Sequence, residues 1–231
     1  LTLILHWTSA RNCRNLLLLL SSLIFYAWGE PFYIFLLCSS IIINWRFGII
    51  LKTSARKKLV LILGCIINLF CLFFFKYFGF LLGVFGIEQI KILYLSIDPN
   101  LIQLPIGISF FTFQAISYLI DVYNNVIDPQ KSFINFGLYL SLFPQLIAGP
   151  IVRYLDVMKS LSNRVFNYKN IITGFNRFII GLSKKLLIAN PAGQLSDQIF
   201  NSSYLNLNSQ IAWLGVITYA IQIFYDFSGY S

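Results

Sequence analysis

Apolar residues fill this chain in long runs, and polar residues interrupt those runs at a few fixed places. Runs near 15–29, 31–51, 58–86, 104–123, 133–152 and 209–227 approach or exceed the roughly 20 residues a helix needs to cross a hydrocarbon core, so each is expected to be a helix at membrane depth. Residues 171–190 read differently. Ile172, Phe175, Ile179, Leu182 and Leu186 share one helical face, with Arg177 and Lys184 opposite, which predicts a helix lying in the membrane interface. After the Leu16–Leu20 run, Phe25, Tyr26 and Trp28 form an aromatic belt ahead of a second span, where a signal peptide would need a small-residue cleavage site. The first run is therefore read as retained. No internal repeat is visible, and residues 1–231 read as a single membrane domain.

Composition agrees, since 58% hydrophobic, 17% aromatic and 11% charged residues leave too little polar surface to cover a soluble globule. The expected fold class is an all-α polytopic membrane protein. The net charge of +9 does not point to nucleic acid. Lys52, Arg56, Lys57 and Lys58 crowd one short loop and Arg153, Lys159, Arg164 and Lys169 follow a later run, the bias of loops on the cytoplasmic side. Threading on that rule puts Arg11 and Arg14 inside, Glu30 outside, Lys52–Lys58 inside and the Glu88–Asp98 loop outside. If 104–123 and 133–152 both crossed fully, the basic stretch 153–169 would lie outside. One of them must turn back, and the stretch FPQLIAGPIVRY (Phe143–Tyr154) marks which. Pro144 removes a helical hydrogen bond and Gly149-Pro150 ends the helix, and such backbone survives at membrane depth only inside protein or beside a water-filled cavity. A broken or re-entrant segment is therefore expected around Pro144–Pro150, with a proline-kinked full span as the alternative.

Two polar stripes cross the apolar runs. Gln114, Ser117, Tyr118 and Asp121 stand at i, i+3, i+4 and i+7, and Gln222, Tyr225, Asp226 and Gly229 repeat that spacing, so each set shares a helix face. A carboxylate at the bilayer centre costs about 2.5–3.5 kcal/mol on insertion scales. Asp121 and Asp226 should then lie near an interface or face a cavity, a cation or each other, while interhelical glue is the competing reading for Ser117 and Gln222. Cys13, Cys38, Cys65 and Cys71 show no paired short spacing and His6 is the only histidine, so neither a metal site nor a disulfide framework is indicated. Ser228-Gly229 is no nucleophile elbow, because Asp226 stands where that motif needs glycine. Ser54-Ala55-Arg56-Lys57 matches S-x-x-K only inside the basic loop, and Asn201-Ser202-Ser203 is a weak glycosylation pattern.

Three stretches, LPIGISFFTFQAISYLIDVY (Leu104–Tyr123), FPQLIAGPIVRY and YAIQIFYDFSGYS (Tyr219–Ser231), together resemble the membrane-bound O-acyltransferases, in the bacterial branch of alginate O-acetyltransferases. GFNRFIIGLSKKLLIAN (Gly174–Asn190) and LLLLLSSLIFYAWGEP (Leu16–Pro31) match in order and separation. The resemblance implies a helical disc around a tunnel in the bacterial plasma (inner) membrane, crossed several times by the chain. It implies an acyl donor or carrier on the cytoplasmic side, acetyl-CoA or another acetyl donor being a substrate rather than a bound cofactor. It also implies a polysaccharide hydroxyl acceptor, with periplasmic or extracellular acetylation proteins as partners. Gln114, Asp121, Gln145, Arg153, Gln222, Tyr225, Asp226 and Ser228 become candidates for the tunnel wall or substrate contacts, with Arg153 at the cytoplasmic rim. No catalytic residue is assigned: the family's catalytic histidine follows the DFSGYS motif, so this chain is read as an N-terminal portion, inactive alone. The alternatives are D-alanyl transfer to teichoic acid within the family, and a transporter, channel or purely structural membrane subunit outside it.

Overall fold

The computed structural model describes residues 13–84, 90–92, 95–97, 104–146, 150–162, 167–202 and 208–231, together with position 2. His6, the residues 147–149 inside the broken stretch, and Ser203 lie outside the described residues. The chain divides into two compact units, one of residues 1–147 with 151–164 and one of 148–150 with 165–231.

In the first unit, α1 (Arg14–Gly29), α2 (Ile34–Thr53) and α3 (Lys57–Val84) precede a short antiparallel hairpin, β1 (Ile90–Ile92) and β2 (Leu95–Ile97), with Ile90 opposite Ile97. Then come α4 (Ile108–Tyr123), α5 (Phe133–Ser141), the four-residue α6 (Phe143–Leu146) and α7 (Tyr154–Ser162). The all-α class holds, with the hairpin as its one addition among the described residues. Three described helices are long and apolar enough to cross a membrane: Ile34–Thr53, Lys57–Phe78 within α3, and Ser209–Tyr230. The outer faces of the first two remain apolar, Phe35 being 76% exposed and Phe70 66%, and so does that of α1, where Trp28 is 91% exposed. Bare surface of that kind belongs in lipid.

Helix α4 is the centre of this unit. Phe111, Ala115, Tyr118 and Leu119 on it are almost wholly buried, as are Leu37 and Ile41 of α2 and Phe136 and Leu140 of α5. The helix begins at Ile108, not at residue 104, because Pro105 and the left-handed Gly107 (φ 78°) precede it. A side chain at Gly107 would strike the Leu146 carbonyl, so the turn needs glycine both for its dihedral and for its room.

The expected 133–152 span is broken. Helix α5 has nine residues, about 14 Å of rise, and stops at Leu142; Pro144 then sits in the first turn of α6, where a missing N–H costs little. At Leu146 the chain has reached Gly107, the start of α4. Past the break, the Val152 carbonyl accepts from the Tyr139 hydroxyl of α5 at 2.9 Å. The described residues before and after the break thus meet opposite ends of α4, Leu146 at Gly107 and Arg153 at Asp121.

The second unit is a helical hairpin. Helix α8 (Tyr168–Lys184) runs through a π-helical turn (Lys185–Ala189) into α9 (Asn190–Phe200), and α10 (Ser209–Tyr230) returns beside them. The amphipathic helix expected over 171–190 is longer than the pattern suggested, because the wider turn precedes Pro191 and lets the helix continue where proline would otherwise end it. Small residues set the crossing: a side chain at Gly181 would collide with the Gly229 carbonyl, and one at Gly193 with Gln222.

Candidate functional site

Helix α4 presents Gln114, Tyr118 and Asp121 on one buried face, at 1%, 0% and 4% exposure. The i, i+4, i+7 spacing alone would align them; the re-entrant segment supplies what they face. Arg153, three residues past Pro150, turns back onto α4 and grips Asp121 with both arms of its guanidinium. Its Nη2 donates to Oδ1 at 2.5 Å and its Nε to Oδ2 at 3.3 Å. The carboxylate is buried (6%) and the guanidinium half out (52%), so the bidentate pair neutralises a charge that could not stay at that depth alone.

Around this pair lies a cage of rings. Tyr118 packs on Phe136 (centroids 4.7 Å apart) and edge-on to Tyr154 (5.4 Å), which meets Tyr139 at 5.1 Å. Gln130, in the loop after α4, ties the cage together. Its backbone N–H donates to the Tyr118 hydroxyl at 2.9 Å and its side-chain amide to the Tyr154 hydroxyl at 2.5 Å, while its carbonyl accepts from Trp45 Nε1 at 3.0 Å. Burial pushes the Tyr154 phenol above its ordinary range, so it stays a neutral hydrogen-bonding group. Gln145 holds the break itself, donating from Nε2 to the Tyr139 carbonyl at 2.8 Å. Gln114 is the exception to this saturation. Its Oε1 is buried with no hydrogen-bond partner among the described residues, an unsatisfied acceptor of a kind protein interiors seldom leave.

The second stripe faces α8 and α9. Gln222 lies against Gly193 and accepts from Ser196 Oγ at 3.4 Å, Ser228 accepts from Lys184 Nζ at 2.9 Å, and Asp226 is ion-paired to Lys185. Tyr225 is half-buried, its ring edge-on to Phe224 at 5.2 Å. The structure thus brings Gln114, Asp121, Gln145 and Arg153 into the first unit's polar interior, and Gln222, Asp226 and Ser228 into the second unit's hairpin contact.

Sequence reasoning did not select Gln130, Tyr139 or Tyr154, which lie in loops or apolar runs without periodic signal. It assigned Lys184 to a polar face without a partner and passed over Lys185. It also missed Asn44 and Asn68, whose side-chain amides exchange hydrogen bonds at 3.1 and 2.7 Å between α2 and α3. An asparagine inside each of two spans was the available signal.

Comparison with known proteins bears directly on this arrangement. Residues 124–231, which include the re-entrant segment, Arg153 and the second stripe, match the MBOAT, membrane-bound O-acyltransferase family. Over those residues the chain is similar to that family. It is 37% identical over 98% of its length to the probable alginate O-acetylase AlgI of Pseudomonas aeruginosa, covering 44% of that protein. It is 36% identical over 98% of its length to the Pseudomonas putida AlgI, covering 47%. It is likewise 36% identical over 94% of its length to the peptidoglycan O-acetyltransferase of Helicobacter pylori, covering 46%. The chain thus spans under half the length of these relatives. The Asp121–Arg153 pair and the cage around it form the polar interior of an otherwise apolar helical unit.

Proposed function

We propose that this chain forms part of a bacterial inner-membrane O-acetyltransferase. It moves acetyl groups from a cytoplasmic donor, acetyl-CoA directly or a carrier, to hydroxyls of an exported cell-envelope polysaccharide. The observation that carries this reading is the similarity along nearly the whole chain to O-acetylases named for two different glycans, alginate and peptidoglycan. What those acceptors share is a sugar hydroxyl. In such a transfer the hydroxyl oxygen attacks the acetyl carbonyl, the donor's leaving group departs, and a base takes the hydroxyl proton; none of this chain's residues is assigned as that base. The role proposed for its residues is to shape and line the passage. Asp121–Arg153 and Gln145 hold the re-entrant break open, Gln114 offers an acceptor to what passes, and Gln222, Tyr225, Asp226 and Ser228 support the helix leading toward the catalytic segment.

Base-released acetate from the cell's exopolysaccharide and from its peptidoglycan tests the proposal, in a strain deleted for the full gene and in its complemented derivative. Acetate lost from one of the two and restored on complementation supports it and names the acceptor. Unchanged acetate in both, with D-alanyl ester lost from teichoic acid, transfers the protein to the D-alanylating branch.

A further inference from the structure

The end of the helical unit that carries Arg56, Lys57 and Lys58 also carries an open groove of about 900 Å3, walled by those cations above and by Ile62, Leu63 and Tyr123 below. We propose that this groove is a docking site for one anionic diacyl phospholipid, its headgroup phosphate among the three cations and an acyl chain along Ile62 and Leu63. The site rests on the membrane setting alone and is independent of acetyl transfer.

Charge complementarity selects the occupant. Among the described residues none of the three cations has an acidic partner; the nearby carboxylate, Asp128, is held by Lys52 at 2.7 Å. Three unpaired positive charges in a short interfacial loop attract an anion. They also open α3, whose first turn contains no acidic residue, so they add to the positive end of the helix dipole instead of opposing it. The wall below favours a lipid over a free phosphate as the occupant. Ile62 and Leu63 lie on the outer face of a helix long enough to span, at 46% and 45% exposure, and continue from the cations toward the hydrocarbon. Tyr123, at the end of α4, closes the groove with a ring whose apolar body and polar tip suit that depth.

The test uses the full-length protein in detergent, titrated with phosphatidylglycerol or phosphatidylcholine and read by native mass spectrometry. Retention of phosphatidylglycerol at least ten-fold tighter than phosphatidylcholine is the expected result. The triple variant Arg56→Gln/Lys57→Gln/Lys58→Gln should bind phosphatidylglycerol about five-fold more weakly per charge removed and so lose the preference altogether, and Arg56→Lys should keep it. Ile62→Ala/Leu63→Ala leaves every charge in place, so neither altered topology nor diffuse attraction can account for a loss there; a several-fold weaker retention is expected. Equal retention of the two lipids overturns the proposal, as does a triple variant that binds like the parent. A loss confined to the charge variants overturns it too, and displacement by millimolar inorganic phosphate reassigns the groove to free phosphate.

Discussion

At the scale of single residues, Asp121 and Gln114 are buried polar groups in opposite states. Asp121 has its cation. Removing Arg153 strands a carboxylate at 6% exposure, so Arg153→Ala should cost about 1–3 kcal/mol in thermal or chemical unfolding. The double variant Asp121→Ala/Arg153→Ala should cost less than the sum of the singles, because the second change removes the stranded charge. Additive costs would show that the pair has no coupling. Gln114 has no partner for Oε1 among the described residues, and Gln114→Leu should leave stability unchanged or slightly raised while lowering acetate transfer in the full-length enzyme. That separation of stability from activity is what a passage-lining acceptor predicts; an equal fall in both would make it structural. On the exposed side, Lys52 holds the Asp128 carboxyl below its ordinary range through their hydrogen bond. A carboxylate with a depressed pKa contributes stability above its unfolded pKa and loses it as pH falls through the folded one. The melting difference between the parent and Asp128→Asn should therefore be present at neutral pH and vanish on acidification.

At the scale of elements, contacts between helices decide what the polar stripes do. On α10, Asp226 meets Lys185 and Ser228 meets Lys184, so two consecutive lysines both reach one neighbouring helix. In an ideal α-helix successive side chains diverge by about 100°, and here the π-helical turn begins at Lys185, between the two. Asp226→Asn keeps an oxygen for Lys185 and should fold and function nearly as the parent. Asp226→Leu removes a partly exposed pair, worth about 0–1 kcal/mol, and should reduce activity more than stability. Inactivity of Asp226→Asn in a folded enzyme would give the carboxylate a direct part in the chemistry. The crossing itself is less forgiving. Gly181→Ala forces a methyl into the Gly229 carbonyl and should destabilise by about 1–3 kcal/mol, seen as loss of monodisperse protein on heating.

For the whole molecule, the first unit's hydrogen bonds fix which loops share a side. Lys52 holds Asp128, Trp45 reaches Gln130, Gln130 reaches Tyr154 and Arg153 reaches Asp121, while Asn15 joins Asn135 and the Leu161 carbonyl, each at 2.8 Å. The opposite end is marked by Tyr26 donating to the Ile106 carbonyl at 3.1 Å. The Lys52–Lys58 loop and the start of the Arg153–Lys159 stretch thus lie together, as the charge bias required. In a background without the native cysteines, Ser54→Cys and Ser160→Cys should resist an impermeant thiol reagent in intact cells while Glu30→Cys is labelled. Labelling of only one of the first two would remove the re-entrant turn.

The sequence by itself determined the membrane setting, the helical class, the places of most of the apolar helices within a few residues, and the need for a break near Pro144. Each follows from local quantities: run length against bilayer thickness, the count of cations per loop, and the missing N–H of proline. It also placed Gln114, Tyr118 and Asp121 on one face, because helical spacing is a local property. Only the tertiary structure decided what those faces meet. That Asp121 pairs with Arg153, 32 residues away, and Asp226 with Lys185, 41 residues away, depends on how the re-entrant segment returns and where two glycines let helices touch. Run length and periodicity carry no information about which distant charge a buried carboxylate will find; that choice is made when burial leaves it a single neutralising partner within reach.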